Sequence, residues 1–172
     1  EIDIEGMGKD DSRTWQSNII TGLNKTMSQE VDDPGLALAD GYHTYVLEWA
    51  PTYVAWYFDG REVRRTEGGQ AAELTHPETI RFNLWISTLP EWAGDFDEAS
   101  LPANQFVNWV RYYRYEEGKF VLDWSDDFNT FDAKRWGKGN WTWAENRSDH
   151  SPLNAMVKDG TLVLTLTKEG QT

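Results

Sequence analysis

The sequence predicts an all-β fold, and three observations carry that expectation. Short runs rich in Val, Ile, Thr, Tyr, Phe and Trp recur along the chain, with turn residues roughly every 8–12 positions. Asp59-Gly60 separates two such runs, a strong hairpin signal. Helix-period patterns are few, and no internal repeat of about 20–50 residues stands out.

In chain order, the first run is Glu1-Ile2-Asp3-Ile4-Glu5-Gly6. Alternate residues of a strand point to one face. Glu1, Asp3 and Glu5 therefore form a row of acids, with Ile2 and Ile4 expected to be buried behind them. Residues 6–12 read as a turn. Residues 14–21 read as a strand with Gln16 and Asn18 on one face, and residues 22–41 as a polar loop turning at Asp32-Asp33-Pro34-Gly35. Strands are expected over 42–49, 53–58 and 61–66, and a short helical turn within 70–79. Residues 80–87 alternate, placing Arg81, Asn83 and Trp85 on one face and Phe82 and Leu84 on the other. A long loop over 88–104 carries Trp92. One long strand is expected over 106–115, then a polar linker over 116–119. Short strands over 120–124, 141–143 and 153–157 follow, with a loop over 132–140. Lys158-Asp159-Gly160 turns into a clear strand over 161–167.

The 172 residues suffice for one domain with its own core. With 16 basic and 29 acidic residues the net charge is −13, which argues against nucleic acid or an anionic membrane surface as partner. There is no cysteine, hence no disulfide, thiol nucleophile or Cys-based zinc site. His43, His76 and His150 are widely spaced and form no helical ligand pair. No apolar run reaches the ~18 residues a membrane span needs. Ten Trp, seven Tyr and seven Phe are the anomaly. Rings can fill a β core, but so many Trp also suit a cleft where indole faces pack on sugar C–H groups.

The acid row has two readings on pattern alone: a solvated strand face, or acid–base chemistry. A metal site is disfavoured, because alternating strand positions fan out and no His lies nearby. Glycoside hydrolysis needs two carboxyl groups about one bond, ~5–5.5 Å apart in a retaining enzyme. Four residues of flat strand separate the Cα atoms of Glu1 and Glu5 by ~13 Å, so a curved strand is required for that role. Gln16 and Asn18 fit either a polar strand face or contacts to sugar hydroxyls. Arg81 and Asn83 beside Trp85 offer hydroxyl donors and acceptors next to a stacking ring. Trp49, Trp56, Trp109 and Trp124 are expected in core or sheet packing.

Five motifs carry a resemblance: Glu-Ile-Asp-Ile-Glu, Trp-Gln-Ser-Asn-Ile-Ile-Thr-Gly, His-Thr-Tyr-Val-Leu-Glu-Trp, Arg-Phe-Asn-Leu-Trp and Asn-Trp-Val-Arg-Tyr-Tyr. Together the sequence resembles glycoside hydrolase family 16, most closely the bacterial 1,3-1,4-β-glucanases (lichenases) of the circularly permuted Fibrobacter type. The permutation is implied by Leu122-Asp123-Trp124 and residues 135–141 lying after the acidic strand. The resemblance implies a jelly roll of two curved antiparallel sheets with a concave substrate cleft. It implies one glucanase domain over 1–172, with a catalytic-strand portion over 1–115 and a permuted portion over 120–172. It further implies strands preceding residue 1, supplied by a second polypeptide if they are not in the same chain.

For the site, the resemblance implies Glu1 as nucleophile, Glu5 as general acid/base and Asp3 as their assistant. Trp92 and Trp141 become cleft platforms, and Lys138, Asn140, Asn146 and Arg147 rim contacts. His43 is either a neighbour of the acidic strand or a structural histidine. No cofactor serves catalysis. A structural calcium ion is implied at Asn108, through its side chain, and at Asp127 and Gly160, through backbone carbonyls. The expected protein is a secreted bacterial enzyme acting on β-glucan polysaccharide. The regular Glu-x-Asp-x-Glu spacing favours mixed-linkage glucan over 1,3-β-glucan, whose enzymes carry an extra bulged residue before the second Glu. A xyloglucan-active relative shares that spacing, but the absent cysteines and permuted tail argue against it. A non-catalytic carbohydrate-binding module is disfavoured by the intact acid trio.

Overall fold

The computed structural model describes residues 1–171. They form antiparallel sheets with only short helical turns, so the expected all-β class holds. Two compact units can be distinguished, residues 1–80 with 91–95, and residues 81–90 with 96 onward.

In the first unit, β1 (Ile2–Gly6) pairs with β2 (Trp15–Thr21), and β2 with β3 (Thr26–Asp32). A second sheet runs β4 (Tyr45–Ala50), β5 (Tyr53–Phe58), β6 (Arg61–Glu67). Its β5–β6 turn is the expected Asp59-Gly60, both with positive φ (47° and 81°), the geometry a two-residue hairpin needs. The sheets face each other through Trp15, Ile19, Val54, Trp56 and Phe58, with Ala71 of α1 (Gly69–Glu73) beside them. Alternation explains the core: Trp15 and Ile19 share one face of β2, while Gln16 and Asn18 take the other.

β3 occupies residues expected to be loop. Its sequence, Thr-Met-Ser-Gln-Glu-Val-Asp, has no run of buried apolar positions, and the strand exists because β2 offers an edge to pair with. Ile4, expected to be buried, is 37% exposed. It sits on the edge strand opposite Ser17, away from the apolar centre, whereas Ile2 opposes Ile19 and packs on the core.

Arg64 of β6 is buried between the sheets. Its Nη1 donates to the Ser17 carbonyl and hydroxyl oxygens, both at 3.0 Å. Its Nη2 donates to the Ser28 carbonyl at 3.0 Å and hydroxyl at 2.8 Å. The guanidinium also lies 4.5 Å above the Trp56 ring. One buried cation thus takes its partners from β2, β3 and β5, which is how such a charge is tolerated inside a sandwich.

α2 (Pro90–Ala93) is one turn long and carries Trp92. In the second unit, β7 (Ala103–Val107) joins a sheet in the order β10 (Ala155–Lys158), β11 (Thr161–Leu166), β7. β8 (Val110–Glu116) and β9 (Lys119–Asp126) form a separate hairpin. The long strand expected over 106–115 is therefore two strands in different sheets, broken at Asn108-Trp109. The expected linker is the β8–β9 turn, with Glu117 and Gly118 both at positive φ.

Two expected strands are not formed among the described residues. Residues 80–87 have strand alternation but make only one bridge, Ser87 opposite Asn146. Residues 141–143 lie in a loop held by its own hydrogen bonds rather than by a partner strand. An alternating sequence becomes a strand only where a neighbouring strand takes its backbone bonds. Of the four indoles expected in packing, Trp56 is fully buried and Trp49 packs on the core, but Trp109 is 39% exposed under Arg111.

Candidate active site

β1 places Asp3 opposite Asn18 and Glu5 opposite Gln16, with no register shift along the pair. Opposed residues share a face, so the acids stand beside two amides. Gln16 is buried and uses both ends of its amide. Its Nε2 donates to Glu5 Oε2 at 3.2 Å, and its Oε1 accepts from Trp92 Nε1 at 3.2 Å. The chain thereby runs acid, amide, indole in one line of bonds. Asn18 is equally buried, and its Oδ1 has no hydrogen-bond partner.

Trp92 is seated by close backbone contact. Gly94 has φ of 91°, and a Cβ there would stand 3.0 Å from the Lys9 Cβ. A Cβ on Gly8 would meet the Ala93 carbonyl at 3.2 Å. The loop after the acid strand and the loop after α2 can approach this closely only with glycine at both places.

From behind, β5 fixes the acid strand. Trp56 Nε1 donates to the main-chain oxygen of Asp3 at 3.0 Å. The sequence shows Trp56 as a core residue, but nothing in its spacing reveals a bond to the strand bearing the acids.

The electrostatics follow from crowding. The Asp3 carboxyl is raised from 3.8 to about 7, first by burial, then by the charges of Glu1 and Glu5 and a hydrogen bond with Glu1. Glu5 is also raised, by burial and the Glu1 charge, while the Gln16 amide pulls it back down. Three carboxyls in a row thus share less than three negative charges near neutral pH, and when the middle one is protonated its hydrogen goes to Glu1.

His43 pairs with Asp59 at 2.8 Å and stacks on Phe58 at 4.9 Å. It is tied to the β5–β6 turn, as its structural reading expects.

The remaining expected site residues belong to the second unit. Arg81 and Asn83 are exposed, while Phe82 points the other way onto Trp136 at 5.9 Å. Trp85 contacts Trp143 at 5.0 Å. Trp141 is 46% exposed and lies 5.4 Å from both Trp143 and His150. Lys138 lies 4.9 Å over Phe131, and Asn140 is exposed. Arg147 lies over Phe96 at 5.8 Å, and its backbone N–H donates to the Ile86 carbonyl at 2.8 Å. Asn146 is not at the rim: it is 8% exposed and its Oδ1 accepts from the Ser148 N–H and hydroxyl. Trp143 and His150 were not singled out by sequence, and only the density of aromatics around 141 signals them.

The residues considered for calcium lie around one break in the ladder. Asn108 follows Val107, which pairs with Leu162, just beyond the Gly160 turn. Asp127 follows Asp126, which pairs with Val110. The Asp127 carboxylate is taken by Arg111 at 2.5 Å, leaving its carbonyl as the oxygen to offer. An amide oxygen and two carbonyls are hard, neutral donors that fit calcium in a structural role. No cluster of three His, Cys, Asp or Glu side chains able to hold a metal occurs among the described residues.

Comparison with known proteins agrees with this geometry. Residues 1–125 match the family described as Glycosyl hydrolases family 16. A Beta-glucanase of Fibrobacter succinogenes is 48% identical over 181 residues, covering 99% of this chain and 51% of that protein. A Beta-glucanase of Bacillus subtilis is 34% identical over 113 residues, 65% of this chain and 44% of the relative. A Xylanase/beta-glucanase of Ruminococcus flavefaciens is 35% identical over 113 residues, 65% of this chain and 13% of the relative. The chain spans about half the length, or less, of the curated relatives it matches.

Proposed function

The chain belongs to family 16 of the glycosyl hydrolases, and we propose that the protein is an endo-β-glucanase cutting 1,4 bonds next to 1,3 bonds in mixed-linkage β-glucan. The observation that carries this reading is the acid row, its middle member crowded so that it binds a proton more tightly than usual, and Gln16 bonded to its last. Glu1 attacks the anomeric carbon while Glu5 protonates the leaving oxygen. Water then hydrolyses the glycosyl-enzyme, with Glu5 acting as base. The raised affinity of Glu5 for its proton suits a general acid. The Asp3 proton, given to Glu1, orients the nucleophile and spares it a third adjacent charge. The even pairing of β1, without a bulge, supports mixed-linkage glucan over 1,3-glucan.

Asn18, Arg81, Asn83, Trp85, Trp92, Lys138, Asn140, Trp141 and Arg147 are assigned to substrate binding in this proposal. Asn146 is assigned to shaping the loop that carries Trp141. A permuted portion over 120–172 is supported by the family match ending at residue 125 while the Fibrobacter relative aligns with 99% of the chain. We place the protein outside the cell, where its polysaccharide is. Strands beyond those described, from the same or a second polypeptide, complete the domain.

The test is hydrolysis by the whole protein. It should release reducing sugar from lichenan and barley β-glucan, and little from laminarin or carboxymethylcellulose. Equal rates on laminarin would refute the linkage preference. Glu5→Gln should abolish turnover yet still bind β-glucan, and substantial residual turnover would remove Glu5 from its role.

A further inference from the structure

Within the second unit, the exposed Trp141 is held by a side chain that the catalytic reading leaves unused. His150 bonds twice to one atom: its backbone N–H donates to the Trp141 carbonyl at 3.3 Å, and its Nδ1 lies 3.0 Å from the same oxygen. A carbonyl only accepts, so Nδ1 carries the hydrogen of this bond. The ring's Nε2 is buried and has no hydrogen-bond partner. The imidazole stacks on Trp143 at 5.4 Å and 22°, and Trp143 in turn contacts Trp85 at 5.0 Å.

The floor beneath is just as tight. A Cβ on Gly139 would meet Trp141 Nε1 at 3.4 Å and the His150 Cβ at 3.6 Å. The loop is closed further by Thr142 Oγ1 donating to the Ser148 carbonyl at 2.8 Å and the Asn146 N–H to the Trp143 carbonyl at 3.1 Å. Trp141 therefore stands against Gly139, Trp143 and His150 and leaves nearly half its surface open.

We propose that His150 is the positioning residue of a Trp141 sugar platform: by clamping the Trp141 carbonyl and backing Trp143, it sets the pose of the exposed indole and hence the strength of glucan binding. It does so without touching the sugar. The inference rests on the glucanase reading for the nature of the ligand. It deepens that reading by assigning a determinant of affinity that lies outside the acid row.

The experiment compares His150→Ala, His150→Asn and Trp141→Ala in the whole protein, on barley β-glucan. An aromatic platform contact of ordinary strength predicts that His150→Ala raises KM about 3- to 10-fold with kcat within about twofold. The near-UV circular dichroism of the tryptophan cluster should weaken in the same variant. His150→Asn keeps a donor close to the Nδ1 position and should recover most of the KM. Three results overturn the proposal: KM unchanged in His150→Ala while Trp141→Ala raises it, kcat falling as far as KM rises, or equal losses in the Asn and Ala variants. If wild type hydrolyses β-glucan but Trp141→Ala leaves KM unchanged, the platform falls and His150 with it, while the acid-row reading stands. If wild type neither binds nor cleaves β-glucan, the functional reading itself fails.

Discussion

Replacing Asp3 by Asn should remove a pH dependence of stability that the wild-type chain carries. Asp3 is raised from 3.8 to about 7 in the folded protein. Between those values the folded chain holds a proton that the unfolded chain has released. Raising the pH through this window strips the proton from a half-buried group beside two acids, so stability falls as pH rises. Each tenfold change in proton affinity is worth about 1.4 kcal/mol, giving roughly 4 kcal/mol across the window. Solvent reaches part of Asp3, and screening reduces this to about 2 kcal/mol. Asn keeps the shape and an N–H to give to Glu1, but cannot ionise. Urea unfolding of both proteins at pH 4, 5, 6 and 7 provides the assay. The two stabilities should agree near pH 4, and the variant should be ahead by about 2 kcal/mol at pH 7. Glu5 is raised in the same sense in both proteins, so only the difference between the curves reports on Asp3. Parallel curves would refute the reasoning, because they would mean that Asp3 titrates alike folded and unfolded.

Gln16→Met removes the donor that lowers Glu5, so the alkaline limb of kcat/KM against pH should move to higher pH; an unmoved limb would show that Gln16 does not tune the acid. Arg64→Met leaves the oxygens of Ser17 and Ser28 without their buried donor and should cost about 2–4 kcal/mol in urea unfolding. A loss under about 0.5 kcal/mol there would show that the serines find other partners. Saturating calcium should raise Tm by about 2–4 °C over the EDTA-treated protein, and an identical Tm in both would eliminate the site at Asn108, Asp127 and Gly160.

Much of the fold was legible where local chemistry and pairing agree. The hairpin through Asp59-Gly60 was readable because two residues with positive φ and two apolar runs point to one answer. β3 was not, because its apolar residues Met27 and Val31 stay exposed and the strand owes its existence to β2. Residues 80–87 mislead in the other sense, since alternation reports which side chains share a face but not whether a partner strand lies alongside. At the site, period-two spacing placed the acid row on one face of β1 and Gln16 and Asn18 on one face of β2, and the register of the pair brings those faces together. It could not show that Gln16 is spent on Glu5 and Trp92, because that depends on Trp92, 76 residues away. Asn146 looks like a polar rim residue in sequence and is an internal brace in the loop. His150 was legible only as an isolated histidine, because its partners are a carbonyl and two rings brought together by loop closure.

The Arg64 fork has a consequence for how the acid-bearing sheet avoids misassembly. A strand with one apolar face resists slipping, because a shift of one residue turns that face to water. The apolar residues of β3, Met27 and Val31, are exposed even in the native register, so hydrophobicity alone does not define which of its residues meets which of β2. Arg64 supplies the missing definition by measuring both strands at once, donating to Ser17 on one and to Ser28 on the other. A slip of β3 by a single position would present the wrong carbonyl and a side chain without a hydroxyl, since Ser28 is flanked by Met27 and Gln29. The guanidinium thus acts as a gauge of alignment, and substitutions at Ser17, Ser28 and Arg64 should be tolerated only in combination.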